Sequence, residues 1–297
     1  MIVILGATGN TGKPLAEMLL KAGEKVTVVG RDASKLEGLR TLGAKVETGS
    51  IDDAGFLSKV FTGATAIYAL VPPNFTASNF RAYQNQVIDA IKAAIESAKV
   101  KYVVTLSSIG AHLPSGTGVV NGLNDMERKF NELKDSHIVH LRAGFFMQNI
   151  FGMLGAYKQA GVLGGFPIRA DLKIPMIHTN DISKVAFDFL SKRDFEGKSF
   201  VNVAHPQYFT LQEVASKLGQ AIQKPDLKYV QFEEAAFKGA MLGMGASESL
   251  VDGYLEFSKA MNERETEFMS GYQLTSRGEG KISVGEFIEN ELSHAAR

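Results

Sequence analysis

The strongest constraint on the fold lies in the first thirty-one residues, "MIVILGATGNTGKPLAEMLLKAGEKVTVVGR". A short apolar run (2–5) passes at once into three glycines spaced three apart, Gly6, Gly9 and Gly12. A helix-like stretch (14–21) and a second apolar run (26–29) follow. Strand, glycine turn, helix and strand in this order make a βαβ unit, in which the two strands must be parallel.

The alternation continues. Apolar, β-branched runs recur at 66–71, 102–106 and 138–141, with a weaker one at 45–47. Helix-like stretches separate them at 34–42, 54–61, 80–98 and 124–133. Strands that are apolar on both faces belong to a sheet covered on both sides. The expected fold is therefore α/β: a Rossmann-type, doubly wound, mostly parallel sheet over residues 1–150. Residues 151–297 are expected to form a smaller, mainly helical substrate lobe, from which 175–205 returns to the sheet. Within it, 158–175 reads as loop, 199–204 as a strand, and the last third as helical, with one short strand near 227–230.

Composition removes several functions. Lys and Arg number 32, as do Asp and Glu, which leaves no electrostatic footprint for nucleic acid or an anionic membrane. There is no cysteine, hence no disulfide, thiolate metal site or cysteine nucleophile. The six histidines lack metal-ligand spacing, and no metal is expected. The first apolar run is too short for a signal peptide, and no run approaches a membrane span. A soluble cytoplasmic protein is the expectation.

The glycine loop carries the first functional signal. Gly6 lets the chain turn off the strand, Gly9 lets backbone amides approach a pyrophosphate, and Gly12 lets the helix pack on the sheet. The helix amino terminus then presents unpaired N–H groups to phosphate. Thr8, Asn10 and Thr11 are candidate side-chain donors. The competing reading is a glycine-rich turn that binds nothing. The second signal is at the end of the next strand, "KVTVVGRD". An NAD site usually has a carboxylate there for the ribose hydroxyls. Here Gly30 removes it and Arg31 supplies a forked cation suited to a 2′-phosphate, with Lys35 to assist. The cofactor expected is NADP(H) in preference to NAD(H). Alternatively Arg31 is a solvated residue and Asp32 serves the ribose.

With "GATGNTG", "VGRD", "LSSIGAH", "HLRAGFFMQN" and "PMIHTNDIS" in this order, the chain resembles the NmrA-like members of the atypical short-chain dehydrogenase/reductase superfamily. That family includes NADPH-dependent quinone and dye reductases and redox-sensing regulators. The resemblance puts Gly6, Thr8, Gly9, Asn10, Thr11, Gly12 and Arg31 on the pyrophosphate and adenosine side. It puts Leu70, Val71 and Pro72 beside the ribose and nicotinamide, and Ser107 and Ser108 near the nicotinamide. Phe145, Phe146 and Asn149 would border the acceptor. One position departs: relatives commonly carry Asp after the glycine of "VETGSIDD" to touch adenine, and here it is Ser50.

The usual Tyr-x-x-x-Lys pair of the superfamily is missing, since none of the eight tyrosines has Lys four residues on. On the expected helix Asn124 stands nearest the missing Tyr, with Arg128 four residues later, and an amide is no general acid. Candidate catalytic groups are Ser107, His112 and Asn149. Phe145 and Phe146 are a candidate floor for a flat acceptor, with ordinary core packing as the alternative. Asn149 is expected to need a partner, as a polar group in an apolar run. The sequence thus points to hydride transfer to a small planar acceptor such as a quinone. The alternative is a non-enzymatic NADP(H) sensor acting through a protein partner.

Overall fold

The computed structural model describes all residues 1–297. Twelve strands and ten main helices follow the chain. The first half holds β1 (Ile2–Ile4), α1 (Gly12–Lys21), β2 (Val26–Gly30), α2 (Glu37–Thr41), β3 (Lys45–Thr48), α3 (Ala54–Phe61), β4 (Ala66–Ala69), α4 (Phe80–Ala98), β5 (Tyr102–Ser108), α5 (Asn121–Asn131) and β6 (His137–Ala143). The second half holds β7 (Phe145–Phe146), α6 (Leu154–Ala160), β8 (Leu163–Gly164), β9 (Met176–Ile177), α7 (Thr179–Lys192), β10 (Lys198–Ala204), α8 (Leu211–Ala221), β11 (Tyr229–Val230), α9 (Glu234–Gly243), α10 (Glu248–Glu263) and β12 (Leu274–Glu279).

Eight strands form one parallel sheet in the order β12-β10-β6-β5-β4-β1-β2-β3. The order reverses beside β1, which lies between β4 and β2. That reversal opens a crevice above the carboxyl ends of the strands, over the glycine loop.

Alternation along the strands sorts the two faces. Ile2, Ile4, Val26, Val28, Ala66 and Tyr68 pack against Leu15 and Leu19 of α1, Leu39 of α2 and Ile182, Val185 and Phe189 of α7. Val3, Leu5, Val29, Ile67 and Val103 pack against Leu57 of α3, Val87 and Ile91 of α4 and Phe130 of α5. Both faces are apolar because both are covered. A third core lies in the second half, around Met147, Met153, Leu172, Leu218 and Phe287.

Local chemistry sets the helix ends. Asn79 caps α4 by accepting the Ala82 N–H at 2.9 Å, and Lys99 ends it in the left-handed region at φ 52°. Thr210 and Glu213 close a capping box on α8.

One element departs from the sequence reading. Residues 274–279, taken as part of a helical region, are the edge strand β12, paired to β10. Its polar sequence, LTSRGE, has no apolar alternation to announce a strand. No helix is long and apolar enough to cross a membrane.

Candidate functional site

The three glycines of the loop meet three different surroundings. Gly6 has φ +66°, and a Cβ there would lie 2.8 Å from Leu70 Cδ2. Leu70, half-buried after β4, therefore closes over the turn only because Gly6 has no side chain. Gly12 starts α1, and a Cβ there would lie 2.3 Å from the Gly6 carbonyl oxygen. Gly9 is exposed, and its Cβ would meet only the Gly6 oxygen, at 3.3 Å. The chain thus crowds Gly6 and Gly12 but leaves space in front of Gly9. Helix α1 has no side-chain cap and no acidic residue in its first turn. A cradle that a side chain would fill, at an uncapped helix amino terminus, fits a pyrophosphate.

Thr8 and Asn10 are exposed beside this cradle. Thr11 is buried instead, and the Tyr68 hydroxyl donates to its Oγ1 at 3.2 Å. Its carbonyl accepts the Ser183 hydroxyl of α7 at 2.8 Å. Thr11 anchors the loop to the sheet and to α7, and its side chain is turned away from the solvent side.

At the end of β2, Arg31 and Lys35 are both exposed. The neighbouring Asp32 is committed elsewhere. It caps the turn Ala33–Leu36 by accepting the Ser34 hydroxyl at 2.6 Å and the Ser34 N–H at 2.9 Å. Those bonds, the hydroxyl's first, hold its carboxyl below the usual range. The space freed at Gly30 is taken by Leu36, whose Cδ1 would lie 2.9 Å from a Cβ there. Gly30 therefore serves the packing of that turn.

Beyond β4, β5 ends in Ser107 and Ser108. Ser107 is 2% exposed, and its hydroxyl donates to Oε1 of Glu127 on α5 at 2.6 Å. Glu127 also holds Arg142 of β6, with Nη2–Oε2 at 2.6 Å. The Arg142 guanidinium lies 3.9 Å from the Phe200 ring centroid. Burial pushes the Glu127 carboxyl up, but the Arg142 hydrogen bond and nearby positive charge outweigh it and hold the group ionised. On the same sheet face, Thr105 meets His140 Nδ1 at 2.8 Å, and His140 Nε2 meets Asn131 Oδ1 at 3.1 Å. Burial lowers the His140 pKa to about 4.

The remaining candidates sort by contact. Asn124 donates its amide to the Ala111 carbonyl at 2.8 Å and so holds the loop after β5. His112 Nε2 lies 3.0 Å from the Glu267 carbonyl oxygen, an arrangement in which it donates. Phe145 is buried and packs edge-on against Phe166, centroids 6.1 Å apart. Phe146, its neighbour on β7, stays half-exposed, as do Val71 and Pro72. The strand β7 is pinned by pairing with β9.

The expectation for Asn149 needs correction. Asn149 does not sit in an apolar interior: it is exposed on the turn Met147–Met153, so it needs no buried partner. Gln148 takes that part, its Oε1 accepting the Thr179 N–H at 3.1 Å. Sequence reasoning missed Glu127 and Arg142. The signal was a charged residue inside a buried strand, "HIVHLRA", which requires a carboxylate within reach.

An open groove of about 490 Å³ lies away from this crevice, between α7 and β12. Its charges pair with one another, as Arg277 does with Asp188 and Asp194.

Comparison with known proteins bears on the fold and the family. The structure is similar to the NADPH-dependent quinone oxidoreductase QOR2 of Escherichia coli in complex with NADPH, with TM-score 0.78 at 21% identity, covering 98% of this chain and 100% of that one. It is also similar to the Citrobacter sp. triphenylmethane reductase in complex with NADP(H), with TM-score 0.76 at 17% identity over 97% and 99% of the two chains. In sequence, 74 residues are 39% identical to the oxidoreductase aflX of Aspergillus parasiticus. That match spans 23% of this chain and 28% of the relative's length. The model of the NmrA-like family matches residues 1–288, nearly the whole chain, and the protein belongs to that family.

Proposed function

We propose that this chain is an oxidoreductase that binds NADP(H) in the crevice and passes hydride to a small planar acceptor such as a quinone. The observation that carries the reading is the contrast among the three glycines, which leaves open space only at Gly9, above the amino terminus of α1. Arg31 supports the 2′-phosphate form, because Asp32, the one carboxylate beside it, is spent on Ser34. The two structural neighbours named with NADPH or NADP(H) support the same cofactor. The acceptor would lie between the sheet's carboxyl edge and residues 151–297, beside Phe146.

The nicotinamide, when bound, supplies the hydride. The chain's own residues bind and orient. Ser107 has a single proton and directs it to Glu127, so it offers the site only lone pairs. It therefore orients a donor such as a carboxamide N–H and does not act as an acid. Asn124 is likewise engaged with Ala111. A site without a side-chain acid suits acceptors whose reduced anion is delocalised, and solvent can then deliver the proton.

The test measures NADPH oxidation against a panel of quinones, dyes and an aliphatic ketone, with dinucleotide binding followed in parallel by calorimetry. Quinone turnover without ketone turnover is expected. Tight NADPH binding with no turnover of any acceptor would replace the enzyme with a dinucleotide sensor.

A further inference from the structure

We infer that Ser183 is a positioning residue for the dinucleotide: by donating to the Thr11 carbonyl it fixes the direction in which the Gly12 N–H faces the pyrophosphate. This rests on the dinucleotide reading above and adds to it a residue 172 positions from Thr11 in the chain.

Ser183 lies on the second turn of α7 and is fully buried. Its hydroxyl is 2.8 Å from the Thr11 carbonyl oxygen and 3.0 Å from that of Thr179, one turn back on its own helix. One proton thus faces two acceptors. A serine inside a helix can satisfy itself on the carbonyl four residues back. Ser191 on the same helix does so, on Phe187 at 2.7 Å. The Thr11 oxygen for its part already accepts the Leu15 N–H at 3.2 Å. Neither group needs the other to be satisfied, so the bond between the two elements is an added constraint.

What it constrains is a peptide plane. The Thr11 carbonyl and the Gly12 N–H belong to one trans peptide unit, in which the two bonds point in opposite directions. Holding the oxygen toward α7 turns the N–H away from it, past the amino end of α1. The first bonded amide after Gly9 is that of Lys13, on the Gly9 carbonyl at 3.1 Å, so the amides of Asn10, Thr11 and Gly12 are left for a ligand. Local restraint on this plane is weak, because α1 has no side-chain cap and Gly9 and Gly12 stand on either side of Thr11. Tyr68, fully buried on β4, holds the Thr11 side chain from the sheet. The carbonyl is left to Ser183.

The test compares NADP⁺ with adenosine 2′-monophosphate, which keeps the 2′-phosphate and lacks the pyrophosphate. Each is measured by its displacement of NADPH, followed by NADPH fluorescence. Ser183→Ala should weaken NADP⁺ about 10-fold, the low end for a hydrogen bond to a charged group, and leave the monophosphate unchanged. Ser191→Ala, which removes only a bond within α7, should change neither. In the unliganded protein the Gly12 amide resonance should shift in Ser183→Ala and stay in place in Ser191→Ala. Equal weakening of both ligands would show a merely structural role and overturn the assignment, as would an unchanged NADP⁺ affinity or an unmoved Gly12 resonance. A parent that binds no NADPH would instead overturn the cofactor reading beneath it.

Discussion

The Ser107 hydroxyl donates to Glu127 Oε1 at 2.6 Å, so this hydroxyl at the end of β5 has its proton aimed into the protein, and that of Ser108 is given to the Ile109 carbonyl at 2.9 Å. Ser107→Ala should therefore leave quinone turnover within about 10-fold of the parent. Loss of a true general acid typically costs about 100- to 10,000-fold. Initial rates of NADPH oxidation at saturating quinone decide the matter, and a fall of more than 100-fold would make Ser107 the acid.

Glu127 balances Arg142 inside the protein, with side chains 7% and 14% exposed. Glu127→Gln leaves that guanidinium without a counter-charge. Breaking a buried pair from one side costs about 3–5 kcal/mol. Urea denaturation of parent and variant at pH 7 should show a loss of that size, and a change under about 1 kcal/mol would mean the pair relaxes into solvent.

Gly9 and Gly12 should separate binding from folding. Gly9→Val places its methyls in the space before α1 and should abolish NADPH binding with the melting temperature nearly unchanged. Gly12→Val drives a side chain into the Gly6 carbonyl and should lower the melting temperature itself. Calorimetric titration and thermal unfolding of the two variants provide the comparison. Unaltered affinity in Gly9→Val would remove the cofactor site from this loop.

Arg31→Ala should weaken NADPH far more than NADH. A charge-assisted hydrogen bond contributes about 1.5–3 kcal/mol, or roughly 10- to 150-fold in affinity. Equal weakening of the two cofactors would show that Arg31 reads something other than the 2′-phosphate.

His140 predicts a pH dependence of stability. Its pKa falls from 6.5 to about 4 on folding, chiefly by burial. Below pH 6.5 the unfolded chain takes up a proton that the folded chain refuses, so stability declines as pH drops and the decline ends near pH 4. The full effect is about 3 kcal/mol. His140→Gln should flatten the urea-midpoint profile between pH 6.5 and 4, and an unchanged slope would assign the acid sensitivity to other groups.

The glycine turn and the parallel sheet were legible in the sequence because each depends on short-range chemistry. Gly6 needs its positive φ within one turn, α4 is capped by the residue before it, and buried parallel strands must be apolar throughout. The meeting of Ser107, Glu127 and Arg142 was not legible, because strand, helix and strand bring together residues 20 and 15 positions apart. Nor was β12, a polar edge strand that exists through its pairing with β10, nor the outward direction of Asn149. Periodicity reports which face of an element is buried. Which polar groups share that burial is decided only when separate elements pack, since each buried charge must then find its partner across the fold.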